Sequence, residues 1–339
     1  MGEQFDDVSV VRRVPARVGL VGNPSDGYGG AVLATPVPML AADVTVRPHA
    51  GLRLDGAGET NEWPTLGAWR ASVTAEGCTG EQRLITAALA EVLEHLDRRD
   101  GRDARDGVSL PGLAVSWTTD VPRSVGLAGS SALAVAVIDA VAAAHGTSLD
   151  RRVLAALALR AERMRLGITA GWQDRVVQSV GATVLVDAAA LDRVDGHEVP
   201  AVETPQAGSA VRLVVGWRAA DSTSSDDYHA PLRRHADELA GPMAELAALA
   251  RGAARAWSAG DRDAVADAVD SGWRVRQACA PLRADHAALV EAARAAGSAA
   301  TTPGSGGSVV ALPADDAATA RVLDALAAVG ATACTFDAV

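Results

Sequence analysis

Between Pro122 and Ala132 the chain reads Pro-Arg-Ser-Val-Gly-Leu-Ala-Gly-Ser-Ser-Ala, and an apolar helical run follows to Ala144. Small residues leave room for backbone N–H groups to turn toward an anion, and a helix starting straight afterwards presents its positive dipole end. Ser130 and Ser131 add two hydroxyls able to donate to phosphate or to ligate Mg²⁺. These are the parts of a nucleotide triphosphate cradle without lysine. They equally suit an ordinary strand-to-helix turn with one serine as N-cap. Glu162 and Asp174 flank a break bounded by Gly167 and Gly171. A carboxylate on a helix and another just past the break offer a metal ligand and a general base, the two roles that phosphoryl transfer to a hydroxyl requires. Among Arg160, Arg163 and Arg165, Glu162 also suits a solvated helix face with local ion pairs. Gly304-Ser305-Gly306-Gly307 offers either a backbone contact to phosphate or a tight hairpin turn.

Other chemistries are excluded by what the chain lacks. All 31 basic residues are arginine, so there is no Walker A loop, no protein-kinase strand lysine and no Schiff base. Against 42 acidic residues they leave a net charge of -11, which argues against nucleic acid and anionic membrane as partners. The seven histidines are scattered, and Cys78, Cys279 and Cys334 are too far apart for a Cys-x-x-Cys metal site or a disulfide framework. A reducing cytoplasm is expected. Neither Gly27-Tyr28-Gly29-Gly30 nor Gly126-Leu127-Ala128-Gly129 supplies the Gly-x-Gly-x-x-Gly turn that an NAD-dependent oxidoreductase needs. Glu3, Asp6 and Asp7 interrupt the N-terminus, so no signal core is expected there. Ala132–Ala144 is short and carries Asp139, which marks a buried helix rather than a membrane span.

The elements that must position these residues are legible in outline. At roughly 150 residues per domain, 339 residues predict two domains. Strands are expected at 16–22, 31–33, 43–47, 113–117, 183–186, 211–217, 308–312 and 332–336. Helical stripes cover 81–96, 132–144, 149–166, 232–259, 261–280, 284–296 and 314–329. Residues 51–80 read as irregular or hairpin-like. The stretch 97–107 reads as a charged loop, 221–227 as a polar loop and His229–His235 as a solvated, basic helix start. The polar, proline-containing stretch 191–208 places the boundary between domains 1–205 and 206–339. Alternating strands and helices in both halves make an α/β or α+β protein.

Taken in order, Pro15-Ala16-Arg17-Val18-Gly19-Leu20-Val21-Gly22-Asn23-Pro24-Ser25-Asp26, then Pro122 to Ala132, then Glu162 with Asp174, then Gly304 to Gly307, resemble the three-motif layout of the GHMP kinases. Gly22 to Asp26, Pro122 to Ala132 and Gln173-Asp174-Arg175-Val176-Val177-Gln178 are most similar to the glucuronokinase branch. The common family loop runs Pro-x-Gly-x-Gly-Leu-Gly-Ser-Ser-Ala, whereas this one has an extra residue and Ser124 in place of a glycine. Galactokinases carry Glu-His where this chain has Asn23 and Pro24, and Pro303 stands where Thr or Ser is usual.

The resemblance implies a two-domain α+β enzyme with the GHMP kinase fold: an N-terminal domain like ribosomal protein S5 domain 2 and a ferredoxin-like C-terminal domain. It implies ATP and Mg²⁺ as cofactors, with Pro122, Ser124, Val125, Gly126, Leu127, Ala128, Gly129 and Ser130 around the phosphates and Gly304, Ser305 and Gly306 closing the site. Ser131 and Glu162 would hold the Mg²⁺. Asp174 would be the base and Arg17 its catalytic partner. Asn23, Ser25, Asp26 and Asp174 would bind the acceptor, with Arg123 facing a carboxylate. The expected acceptor is a sugar or sugar acid phosphorylated at its anomeric hydroxyl, first choice glucuronate. A neutral sugar, heptose phosphate or cyclitol, or a non-catalytic nucleotide-binding regulator, are the alternatives. A monomer or homodimer is expected.

Overall fold

One 18-residue strand organises the N-terminal half. In the computed structural model, which describes residues 9–101, 111–208, 210–218 and 236–339, β1 (Val10–Val21) runs antiparallel along β2 (Ala31–Pro48). The turn between them needs a glycine at Gly22: its φ is 103°, and a Cβ there would strike the Ala31 carbonyl. A short 3₁₀ turn, Ser25–Tyr28, completes the link. The other edge of β2 is shared by two partners. Residues 31–34 pair β6 (Val184–Val194), and residues 42–48 pair β5 (Leu113–Thr119). Outside β5 lies β3 (Leu52–Gly56), parallel to it and joined by hairpin to β4 (Glu59–Trp63); outside β6 lies β7 (His197–Glu203). The result is a mixed seven-stranded sheet.

Among the described residues this half holds the α-helices α1 (Leu66–Glu76), α2 (Arg83–Arg99), α3 (Gly129–Ala144), α4 (Arg151–Arg160) and α5 (Gln173–Val180). Helix α3 is apolar almost all round because it is enclosed, packing on β1 and β2 below and on α2 and α4 beside it.

The second sheet contains β8 (Val211–Trp217), β9 (Ala299–Thr301), β10 (Ser308–Leu312) and β11 (Thr332–Ala338), all antiparallel, in the order β11-β8-β10-β9. Helices α6 (Ala236–Ala259), α7 (Arg262–Cys279) and α8 (Ala284–Ala295) connect β8 to β9, and α9 (Asp316–Ala328) connects β10 to β11. This is a ferredoxin-like pattern with an enlarged first crossover. The two halves share a core: Ala16, Val18 and Leu20 of β1 pack with Leu213, Val215, Ala250 and Trp257.

Several elements differ from expectation. The strand signals at 31–33 and 43–47 are one strand, and its register against β1 skips residues 38–40, where Pro38 cannot donate to the ladder. Residues 51–80 hold the hairpin that was one of the two expected readings, and beyond it α1, capped by Thr65 accepting from the Ala68 N–H at 3.0 Å. The stretch 191–208 contains the end of β6 and all of β7; its polar residues line an exposed face. The expected helix 149–166 ends regularly at Arg160 and widens into a π turn over Ala161–Arg165. The polar loop 221–227 and the His229–His235 patch lie outside the described residues.

Candidate active site

Arg17 is buried on β1 and serves as the hub of the site. Its Nε donates to Asp174 Oδ1 at 2.6 Å, and its Nη1 donates to the carbonyls of Gly126 at 2.8 Å and Pro303 at 3.0 Å. One guanidinium thus ties the sheet, the loop before α3, the first turn of α5 and the Gly304–Gly307 loop together. The backbone strengthens the junction, with Arg17 N–H donating to Leu127 and Gly19 N–H to Pro303.

The loop from Pro122 to Ala128 is held by its apolar side chains and left polar along its backbone. Val125 and Leu127 are buried in the shared core. Ser124, Gly126 and Ala128 all have positive φ, at 57°, 76° and 64°. Only one of the three is glycine, so the Ser and Ala conformations carry backbone strain of the kind concentrated at binding loops. Ala128 caps α3 without a side-chain acceptor, and the first turn of α3 has no acidic residue. The N–H groups at that helix start therefore remain available to an anion, which fits the phosphates of ATP. The second glycine loop presses against the first. A Cβ on Gly304 would collide with Gly126, one on Gly126 would stand 2.9 Å from the Gly306 carbonyl, and Ser308 Oγ donates to the Val125 carbonyl at 2.5 Å.

Glu162 sits in the π turn, a feature frequent at functional sites. It is 1% exposed. The solvated-face alternative for Glu162 is therefore overturned, and its partner is Arg175, donating from Nε to Oε2 at 2.5 Å and also from Nη2. Burial pushes the Glu162 carboxyl upward, opposed by the Arg175 charge. Arg175 also reaches Asp174 Oδ2 at 3.3 Å and the Gly171 carbonyl at 3.1 Å. The three arginines close to Glu162 in sequence make contacts elsewhere. Arg160 and Arg165 each donate to buried Glu91 of α2 at 2.8 Å, and Arg163 donates to the Ala170 carbonyl at 2.7 Å. Those contacts set the path of the 161–171 segment.

Asp26 follows the β1–β2 turn and is buried, with Oδ2 accepting from the Gln173 N–H at 2.8 Å. Burial raises its carboxyl above the ordinary carboxylate value, with Asp174 adding to the rise. Gly171 must be glycine here, because a Cβ would overlap the Asp26 carboxylate.

The structure brings Arg17, Asp26, Glu162, Asp174 and the two glycine loops together. Ser131 was expected at the metal; it is 0% exposed and its Oγ donates to the Ala128 carbonyl at 3.1 Å, closing the first helical turn. Ser130 points at Glu162, Oγ to Oε1 at 3.4 Å. Ser25 was expected at the acceptor; its hydroxyl donates to the Ala31 carbonyl at 2.8 Å inside the turn and is wholly buried. Asn23 Nδ2 donates to the Gly304 carbonyl at 3.3 Å. Arg123 is exposed and makes no hydrogen bond or ion pair among the described residues. Arg276 carries no signal in the sequence, and Arg175 and Gln178 belong to a family-like stretch in which neither has an expected role. Arg276 of α7 is buried and donates to the carbonyls of Thr302 and Gly304, and Gln178 Nε2 joins Pro15 to Ala128. Each holds up a loop through its backbone, a function that residue type alone does not announce.

A glycine-cornered loop opening an uncapped helix, set against buried carboxylates and guanidinium groups at a domain seam, defines a phosphotransferase for small molecules. The chain belongs to the GHMP kinases: the family's N terminal domain matches residues 83–182 and its C terminal domain residues 246–332. Glucuronokinase 1 of Arabidopsis thaliana is 27% identical over 324 residues, spanning 91% of this chain and 86% of that protein. The galactokinase of Mycobacterium tuberculosis is 38% identical over 136 residues, 40% of this chain and 36% of its own. Among solved structures, the Streptococcus pneumoniae phosphomevalonate kinase in complex with phosphomevalonate and AMPPNP superposes with a TM-score of 0.79 at 15% identity, covering 97% of this chain and 99% of that one. The Lactococcus lactis galactokinase complexed with galactose gives 0.75 at 16% identity, covering 97% and 93%. The fold is the GHMP kinase fold, and the family uses ATP. Among the described residues no helix is long and apolar enough to cross a membrane.

Proposed function

We propose that this enzyme transfers the γ-phosphoryl group of ATP to the anomeric hydroxyl of a sugar or sugar acid, with glucuronate the first choice of acceptor. The observation that carries the chemistry is the 2.6 Å Arg17–Asp174 pair, set directly beside the Gly126 carbonyl of the phosphate loop. Asp174, flanked by Arg17 and Arg175, orients the acceptor hydroxyl and takes its proton as the oxygen attacks. Arg17 places positive charge where the phosphate loop meets the acceptor. Asp26 and Asn23 bind the acceptor, and Arg123 is the candidate for a carboxylate, because bidentate pairing suits it. The backbone from Pro122 to Ser130 and the Gly304–Gly306 loop enclose the phosphates. Ser131 and Glu162 would hold Mg²⁺, and Ser130, whose hydroxyl lies 3.4 Å from Glu162 Oε1, offers a further oxygen donor suited to a hard cation. Bound there, Mg²⁺ neutralises charge on the β- and γ-phosphates. The same reading assigns 1–205 and 206–339 as the two domains.

Glucuronate is favoured by similarity to a glucuronokinase along nearly the whole chain. A neutral sugar is the second reading, favoured by the higher identity of a shorter stretch to a galactokinase. Mass-spectrometric screening of sugars and sugar acids with ATP and Mg²⁺ tests both. The expected product is a hexuronate monophosphate whose phosphate is lost in mild acid, as at an anomeric carbon. Equal turnover of glucuronate and neutral hexoses would overturn the choice of acceptor, and ATP turnover without any phosphorylated sugar would overturn the class.

A further inference from the structure

Gln173 carries a polar group that the fold does not use. It is the first residue of α5, and only its backbone is engaged, donating to Asp26. The side chain is 2% exposed, and neither Oε1 nor Nε2 has a hydrogen-bond partner. Arg17 and Gly19 project to the same face of β1, since strand side chains alternate. Where a Cβ on Gly19 would stand, the Gln173 carboxamide lies 2.9 Å away at Oε1 and 3.0 Å at Nε2, with the Pro303 carbonyl also at 3.0 Å. The amide therefore lies against Gly19, two residues along β1 from Arg17 and on the face from which Arg17 reaches Asp174. The absence of a side chain at Gly19 makes room for it.

Both halves of that amide need a partner, and this narrows the partner's chemistry. Nε2 donates and Oε1 accepts. A carboxylate or phosphate only accepts and would leave Oε1 unmet; an ammonium only donates and would leave Nε2 unmet. A pair of neighbouring hydroxyls satisfies both. Resting on the reading of Asp26 and Asp174 as the acceptor site, we propose that Gln173 is a specificity-determining residue that binds, through its carboxamide, vicinal hydroxyls of the acceptor next to the one that Asp174 orients. The enzyme then selects for a polyol face, and any carboxylate of the acceptor is bound elsewhere.

The test compares the parent enzyme with Gln173→Met, similar in length and apolar, using the sugar turned over fastest and its 2-deoxy analogue. A site built to hydrogen-bond a hydroxyl discriminates strongly against an analogue lacking it, so the parent's kcat/KM should favour the full sugar by on the order of 10²-fold or more. In Gln173→Met that preference should fall below about tenfold, while the KM for ATP changes little. Gln173→Glu, which keeps the accepting oxygen and loses the donor, should be intermediate and serves if the Met variant does not fold. Preference unchanged in a folded variant would overturn the role of Gln173 and leave the acceptor site standing. A parent that phosphorylates no sugar or polyol would overturn both.

Discussion

Replacing Glu162 by Gln separates stability from metal binding. The carboxylate and Arg175 are both buried and meet through two guanidinium nitrogens. Neutralising one partner leaves a guanidinium charge whose remaining described contacts are the Gly171 carbonyl and Asp174 at 3.3 Å. Breaking a buried pair from one side costs about 3–5 kcal/mol, and Gln keeps one accepting oxygen, so about 3 kcal/mol is expected. At roughly 2 °C per kcal/mol for a large domain, Tm should drop by about 6 °C. Arg175→Met added to Glu162→Gln should recover most of that loss, because replacing both charges by neutral groups is close to neutral. The Mg²⁺ dependence of turnover should behave differently: the requirement should rise in Glu162→Gln and stay raised in the double variant. Differential scanning fluorimetry with a Mg²⁺ titration on the same preparations reads both. A Tm that stays low in the double variant would refute the ion-pair account. A Mg²⁺ titration like the parent's would remove Glu162 from the metal.

Asp174→Asn keeps shape while removing proton acceptance, so kcat should fall by roughly 10²–10⁴-fold with ATP affinity retained; a melting shift with kcat preserved would make Asp174 structural. Asp26 is held above the ordinary carboxylate value, so the folded state binds its proton more tightly than the unfolded state does. Its contribution is favourable at low pH and is lost as pH rises through the raised value. Asp26→Asn should therefore raise the urea midpoint at pH 8 while raising acceptor KM, and an unchanged or lower midpoint would contradict this. His95 of α2 and His197 of β7 meet at 3.1 Å, and burial with the facing Arg98 and Arg160 pushes His197 down to about 4. Because the folded value lies below 6.5, stability present at neutral pH should decline as pH falls from about 6.5 toward 4. His197→Gln should flatten that decline in urea titrations at pH 7 and pH 5.

Much of the site was legible because its chemistry is written in short runs. The 122–132 loop precedes a helix that is apolar except for Asp139, and Glu162 and Asp174 bracket two glycines. What was hidden depends on direction rather than residue type. Ser130 and Ser131 are indistinguishable as letters; consecutive positions on α3 send one hydroxyl toward Glu162 and the other back to the Ala128 carbonyl. Glu162 reads as a surface residue among arginines until the π turn rotates it inward. The long β2 was masked by its prolines. Strand β7 was masked by its polar, outward-facing residues, because strand signals depend on an apolar face.

The contact of Gly126 with Gly304 also constrains how this enzyme can be recombined. Two stretches of main chain nearly 180 residues apart touch without side chains between them, so neither can absorb a change in the other by switching rotamers. A chimera joining the first half of this protein to the second half of a distant relative would inherit two loops shaped for different partners. Arg17, which donates to a carbonyl on each side of that junction, would register the mismatch directly at Asp174. Segments exchanged between relatives should therefore carry Pro122–Ala132 and Pro303–Ser308 together.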